Sequence, residues 1–229
     1  MTVRLTRTAG GTAPQFSGVE VDDGFDAFAW QTTGHRVGRF ARSLTSRERR
    51  ALERALAAAA ETEPVAPPAL RPGAVVEQVI AEGIDLVLDA HASPPVGVGD
   101  LVGLLRGLHE DLVENPVAAI ELEVEPAGSS PAARLRHVGK TPLTLRMTSP
   151  TLQATVFDAD SAVLDSASAT VDASVDEPVG AGWTLPLADN LGVPAPVDDG
   201  FLTVIVGPAE VDVLGDGVLR RAEFGWMSE

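Results

Sequence analysis

The chain of 229 residues contains no cysteine, no tyrosine and a single lysine, Lys140. Without cysteine, disulfides and thiolate metal centres are excluded, and nothing marks an oxidising compartment. Sixteen arginines stand against that one lysine. GC-rich codon usage produces this bias; a salt-adapted proteome that keeps its surfaces acidic is the alternative. Cations are few overall, 17 against 33 carboxylates, for a formal net charge of −16. A nucleic-acid partner is therefore not expected, because phosphates must be neutralised by Lys and Arg. Long apolar runs are missing too, and none approaches the roughly 20 residues needed to cross a membrane. The first residues, Met1-Thr2-Val3-Arg4-Leu5-Thr6-Arg7, alternate polar and apolar side chains where a signal peptide needs an apolar stretch. The expectation is a soluble, cytoplasmic protein. Charged residues make up only 22% of the chain and hydrophobic ones 45%, a balance that rules out global disorder.

The pattern of the chain changes at Glu114-Asn115-Pro116. Before this point strand-like and helix-like periods alternate; after it only short strand-like runs appear, separated by Gly, Pro, Asp and Ser. Two packing units are expected: an α+β domain over residues 1–115 and an all-β, immunoglobulin-like sandwich over residues 119–229. In the first, Val3 to Arg7 and Val19 to Val21 read as strands, and Phe25 to Trp30 extends or follows the second. Thr45 with Glu48 forms a capping box that opens a helix. Leu52, Ala55, Leu56 and Ala59 are its apolar stripe. Ala74 to Ala81 and Ile84 to Ala90 form a hairpin about Glu82-Gly83. A second helix starts near Asp100 with Leu101, Leu104, Leu105, Leu108 and Leu112 inward, and Asn115-Pro116 stops it. In the second unit, strands are expected at Ile120 to Val124, Ala133 to Arg136, Leu143 to Met147, Leu152 to Phe157, Ala162 to Leu164, Trp183 to Leu187, Phe201 to Val206 and Glu210 to Val213. Charge is uneven: residues 1–118 carry sixteen acids and eleven bases, residues 119–229 seventeen acids and six bases. Six arginines between Arg36 and Arg50 form the one basic cluster, read as a solvated helix face.

Groups for catalysis are thin. The four histidines, His35, His91, His109 and His137, show no metal-ligand spacing. Asp89, His91 and Ser93 supply the residue types of a hydrolase triad but lie too close in sequence to assemble one. His109-Glu110-Asp111 is expected at the surface. No nucleophile elbow, phosphate loop or dinucleotide fingerprint is present. Gly97-Val98-Gly99 reads as a turn, and Asp158/Asp160 and Asp198-Asp199 as solvated acidic turns. No cofactor is implied, and the expectation is a binding protein, not an enzyme.

The first unit resembles the emfourin family. The resemblance rests on Val3-Arg4-Leu5-Thr6-Arg7-Thr8-Ala9-Gly10-Gly11, on Val19-Glu20-Val21-Asp22, on a helix like Arg49 to Leu56, and on a hairpin followed by a Leu-rich helix. It covers roughly residues 2–113. The family's paired glycines are followed by an aromatic residue, whereas here Thr12 follows and Phe16 comes later. The second unit looks like the sandwich of bacterial intracellular proteinase inhibitors, in Arg136 to Leu145 and in Phe157 to Val163. The resemblance implies a protein inhibitor of a thermolysin-like metallopeptidase, working by insertion of a loop into the cleft. The candidate loop residues are Gly10, Gly11, Thr12, Pro14 and Phe16, on a Gly- and Pro-containing loop anchored at both ends by strands, with Pro94 and Pro95 stiffening a second candidate loop. The alternative is a non-catalytic scaffold or adaptor that binds another protein through its sandwich.

Overall fold

Strand period, capping chemistry and turn residues resolve into sixteen strands and two helices among the described residues of the computed structural model. Those residues are 2–9, 15–62, 74–127, 130–196 and 199–228. The protein is mainly β, with antiparallel sheets. By internal contacts the chain divides into two units, residues 1–31 with 39–116, and residues 32–38 with 117–229. The short stretch Thr32 to Gly38 thus belongs with the later residues, a division that the sequence pattern does not announce.

In the first unit, β1 (Val3–Ala9), β2 (Gln15–Val21), β3 (Asp26–Gln31), β5 (Arg36–Ser43, from residue 39), β6 (Val75–Ala81) and β7 (Ile84–Asp89) take the order β5-β3-β2-β1-β6-β7. Alternation buries Val3 and Leu5, Val19 and Val21, Ala27 and Ala29, and Val79. Helix α1 (Ser46–Ala60) opens with the expected capping box: Thr45 Oγ1 accepts from the Glu48 amide, and the Glu48 carboxylate accepts from the Thr45 amide at 2.7 Å. Its buried residues are Leu52, Ala55, Leu56 and Ala59, the stripe read from the sequence. Helix α2 (Gly99–Leu112) packs against α1 and against β1, β2 and β3. It buries Leu101, Val102, Leu105, Leu108 and Leu112, so Val102 takes a place in the core while Leu104 is only half-buried.

The basic cluster does not form one helix face. Arg36, Arg39 and Arg42 lie on β5, a strand absent from the sequence reading, and only the later arginines lie on α1. Arg42 pairs with Glu48 at 2.7 Å. Arg49 donates to the Leu44 carbonyl and sits over the Phe25 ring.

The second unit holds two sheets. One runs β14 (Thr184–Ala188), β9 (Ser130–Gly139), β8 (Pro116–Ala127), then the first residues of β5. Acidic residues alternate along β8, and β9 answers with cross-strand partners. Glu121 lies opposite Arg136 and Glu123 opposite Arg134, with closest N–O distances of 2.6 and 2.7 Å, and Arg36 joins Glu121 at 2.9 Å. The other sheet has the order β12 (Val163–Thr170), β11 (Thr151–Phe157), β15 (Phe201–Val211), β10 (Leu143–Thr148), β13 (Ser174–Val179). Strand β16 (Arg220–Met227) pairs with β15, and the two-residue β4 (Thr33–Gly34) runs parallel to β16. Strands β13 and β16 were not anticipated, and the two runs expected at Phe201 to Val206 and Glu210 to Val213 are largely one strand, β15. His137 is a buried residue of β9 with Nε2 3.0 Å from the Thr141 carbonyl oxygen.

Candidate partner-binding loops

The strand ends that flank the segments singled out by the sequence meet at one end of the first unit's sheet. Ala9 pairs with Gln15 on one side and Val75 on the other; Val76 pairs with Asp89, and the Ala90 amide donates to the Val75 carbonyl at 2.9 Å. The chain that joins β1 to β2 and the chain that leaves β7 for α2 therefore start from the same sheet end. Gly10, Gly11, Thr12 and Pro14 lie outside the described residues. Phe16 is described: it pairs with Thr8 and is half-buried, its ring 5.9 Å from that of the buried Trp30.

The second loop is resolved throughout. Asp89 starts it, its carbonyl accepting from the Ala92 amide and its carboxylate from the His91 amide, both at 3.0 Å. Pro94 and Pro95 are half-buried. A turn follows in which the Val98 amide donates to the Pro95 carbonyl at 3.1 Å, and Gly97 takes φ 90°, a left-handed conformation suited to glycine. A Cβ at Gly97 would stand 2.3 Å from Thr62 Oγ1, so the turn lies close against the end of α1. Val98 is fully buried, whereas Val96 at the tip is 96% exposed.

What fixes this loop from below is a charged cluster that the sequence reading passed over. Glu77 on β6 is wholly buried. Arg7 of β1 donates to its Oε1 through Nε at 3.0 Å and Nη2 at 2.7 Å. Arg106 of α2 donates to both oxygens at 2.5–3.2 Å, and its Nη2 also reaches the Ala90 carbonyl at 3.0 Å. The hydrogen bond to Glu77 raises the Arg106 pKa above its ordinary value. Two guanidiniums on one buried carboxylate tie β1, β6 and α2 to the first residue after β7. A signal existed: Glu77 shares the strand parity of the buried Val79, an acid on the face that should be apolar. Near it, His109 places Nε2 3.3 Å from the Trp30 carbonyl oxygen, and burial pushes its pKa down. The surface position expected for His109 thus gives way to a largely buried one.

Other candidates do not come together as chemistry. Asp89 spends its carboxylate on a backbone amide, while His91 and Ser93 are exposed. Asp158 caps its own turn, accepting from the amides of Asp160 and Ala162. Of the pair Asp198-Asp199, Asp198 lies outside the described residues. Among the described residues no group of three His, Asp or Glu could hold a metal ion. Among the described residues no helix is long and apolar enough to cross a membrane. Comparison with known proteins finds no matching family model, no curated relative and no similar solved structure.

Proposed function

We propose that the protein acts in the cytoplasm by binding another protein, and that its partner is a thermolysin-like metallopeptidase which it inhibits through loops of the first unit. The carrying observation is Val96: an apolar side chain 96% exposed on a turn that Asp89 and the Arg106–Glu77 pair hold in place. An inhibitor needs no reactive group. It needs a loop whose ordering cost was met during folding, so that little is lost when it enters a cleft. The shared sheet end of the two loops supports the reading, as does the emfourin-like order of elements. In the same reading the first unit is an emfourin-like α+β domain. The second is an immunoglobulin-like sandwich of the intracellular proteinase inhibitor type, for which its two antiparallel sheets speak.

The test is titration of a thermolysin-like peptidase with the full-length protein, with a trypsin-like serine protease as control. Loss of metallopeptidase activity near a one-to-one ratio, with the serine enzyme untouched, is the expected result. Val96→Asp and Gly11→Val, assayed separately, divide the effect between the two loops. Absence of inhibition, or inhibition unchanged by both substitutions, overturns the reading.

A further inference from the structure

At the margin of the second unit's larger sheet, β12 is bonded on one side only among the described residues. It pairs with β11 from Thr151↔Thr170 to Phe157↔Val163 and stands last in the sheet order. The Ser166 amide donates to the Asp165 carboxylate, so it points away from β11. Antiparallel alternation then turns the N–H and C=O groups of Ser166, Ser168 and Thr170 outward, while Asp165, Ala167 and Ala169 bond to β11. Exposed edges are ordinarily blunted by lysine, proline or a bulge. Here the one register shift lies at Leu164, and from Ser166 to Thr170 every side chain is short and uncharged.

Both faces beside this edge offer apolar surface. On the inner face a hollow of about 220 Å³ is lined by Leu152, Ala167, Ala169, Leu187 and Leu191, among others. On the outer face Phe157 stacks on Phe201 with centroids 4.7 Å apart, next to Val163, which is 61% exposed. Asp158, Asp160 and Asp165 carry negative charge at this end, in the half of the chain that holds seventeen acids and six bases.

We propose that the β12 edge is a docking site for an extended, cationic segment of another protein, added to the sheet as a further strand. The Ser166 carbonyl and the backbone groups of Ser168 and Thr170 supply the attachment. Side chains of one parity enter the hollow behind Ala167 and Ala169, and those of the other cover Val163 and Phe157. The carboxylates select lysine or arginine in the incoming segment. They also disfavour a second copy of this chain, whose net charge is −16. This site is independent of the loops assigned to peptidase inhibition.

The probe is a fluorescein-labelled eight-residue peptide that alternates leucine with lysine, tested on the full-length protein against a counterpart carrying glutamate in place of lysine. Fluorescence anisotropy is expected to show binding of the lysine peptide alone, weakening as salt is raised. Hydrogen exchange should slow at Ser168 and Thr170. Ser168→Pro removes an outward amide without touching the β11 pairing and should weaken binding about tenfold. Ala167→Leu, which fills the hollow, should weaken it independently, with the melting temperature of each variant confirming the fold. Equal binding of the glutamate peptide, protection located elsewhere, or affinity unchanged by both substitutions overturns the proposal. So does sedimentation showing a dimer that Ser168→Pro dissociates, since the edge would then belong to a second copy.

Discussion

Replacing Glu77 by glutamine removes the buried carboxylate that Arg7 and Arg106 share and keeps its size. Arg7 and Arg106 would then direct donors at an amide that offers one acceptor and two donors of its own. Hydrogen bonds to charged groups contribute about 1.5–3 kcal/mol each, and breaking one side of a buried pair costs about 3–5 kcal/mol. The Arg7 and Arg106 side chains are 37% and 28% exposed, so water recovers part of their solvation. The expected loss is about 2–4 kcal/mol, or about 5–12 °C in melting temperature for a protein of this size. Urea denaturation, with hydrogen exchange to localise the effect to β6 and α2, measures it. Arg106→Met leaves Glu77 paired with Arg7 but frees the Ala90 carbonyl, so it should loosen the Asp89 to Val98 loop more than it lowers global stability. The double variant Glu77→Gln/Arg106→Met should cost less than the sum of the singles, because each removes the other's partner. A Glu77→Gln protein within 0.5 kcal/mol of the parent, or strict additivity, would refute the cluster as the anchor.

Three further outcomes follow from the same geometry. The Arg42 guanidinium and then Thr45 hold the Glu48 carboxyl down to about 2. Its contribution is therefore complete above 4.5 and is lost as pH falls toward 2, a slope in acid unfolding curves that Glu48→Gln should remove. His109 is depressed below its ordinary 6.5 by burial, so the unfolded chain takes up a proton first; stability should fall as pH drops below 6.5, and His109→Gln should flatten that dependence. At Gly18 a Cβ would stand 2.4 Å from Trp30 Cζ2 and 2.5 Å from the Leu5 carbonyl oxygen, so Gly18→Ala should cost about 2–3 kcal/mol in urea denaturation.

Helix α1 was legible because its cap and its stripe are local: Thr45 and Glu48 need only each other, and Leu52 to Ala59 repeat at helical spacing. The β6–β7 hairpin was legible for the same reason, with Glu82-Gly83 between two β-branched runs. Strand β5 was hidden by its charges. Arg36, Arg39 and Arg42 break the alternation, and Val37 and Gly38 are both buried although adjacent. Residues 165–170 of β12 carry no hydrophobic signal, since their strand conformation comes from β11 across the ladder. On β16, Ala222 and Phe224 are buried at strand spacing, but arginines and a glutamate surround them. The Pro94-Pro95 loop could be found from composition. Its anchor could not, because the meaning of Glu77 depends on arginines drawn from β1 and α2.

Strand β4 has a consequence for how the protein is made. Thr33 and Gly34 pair with Glu223 and Phe224, and the Glu223 amide donates to the buried Thr32. On the ribosome, residues 32–38 emerge long before β16, and this contact must wait until residues 223 and 224 have been translated. Contacts this distant in sequence form late. The segment between β3 and β5 thus lacks its partner until β16 has been made, and deletion of residues 220–229 should strand it, even though nothing near residue 33 has been altered.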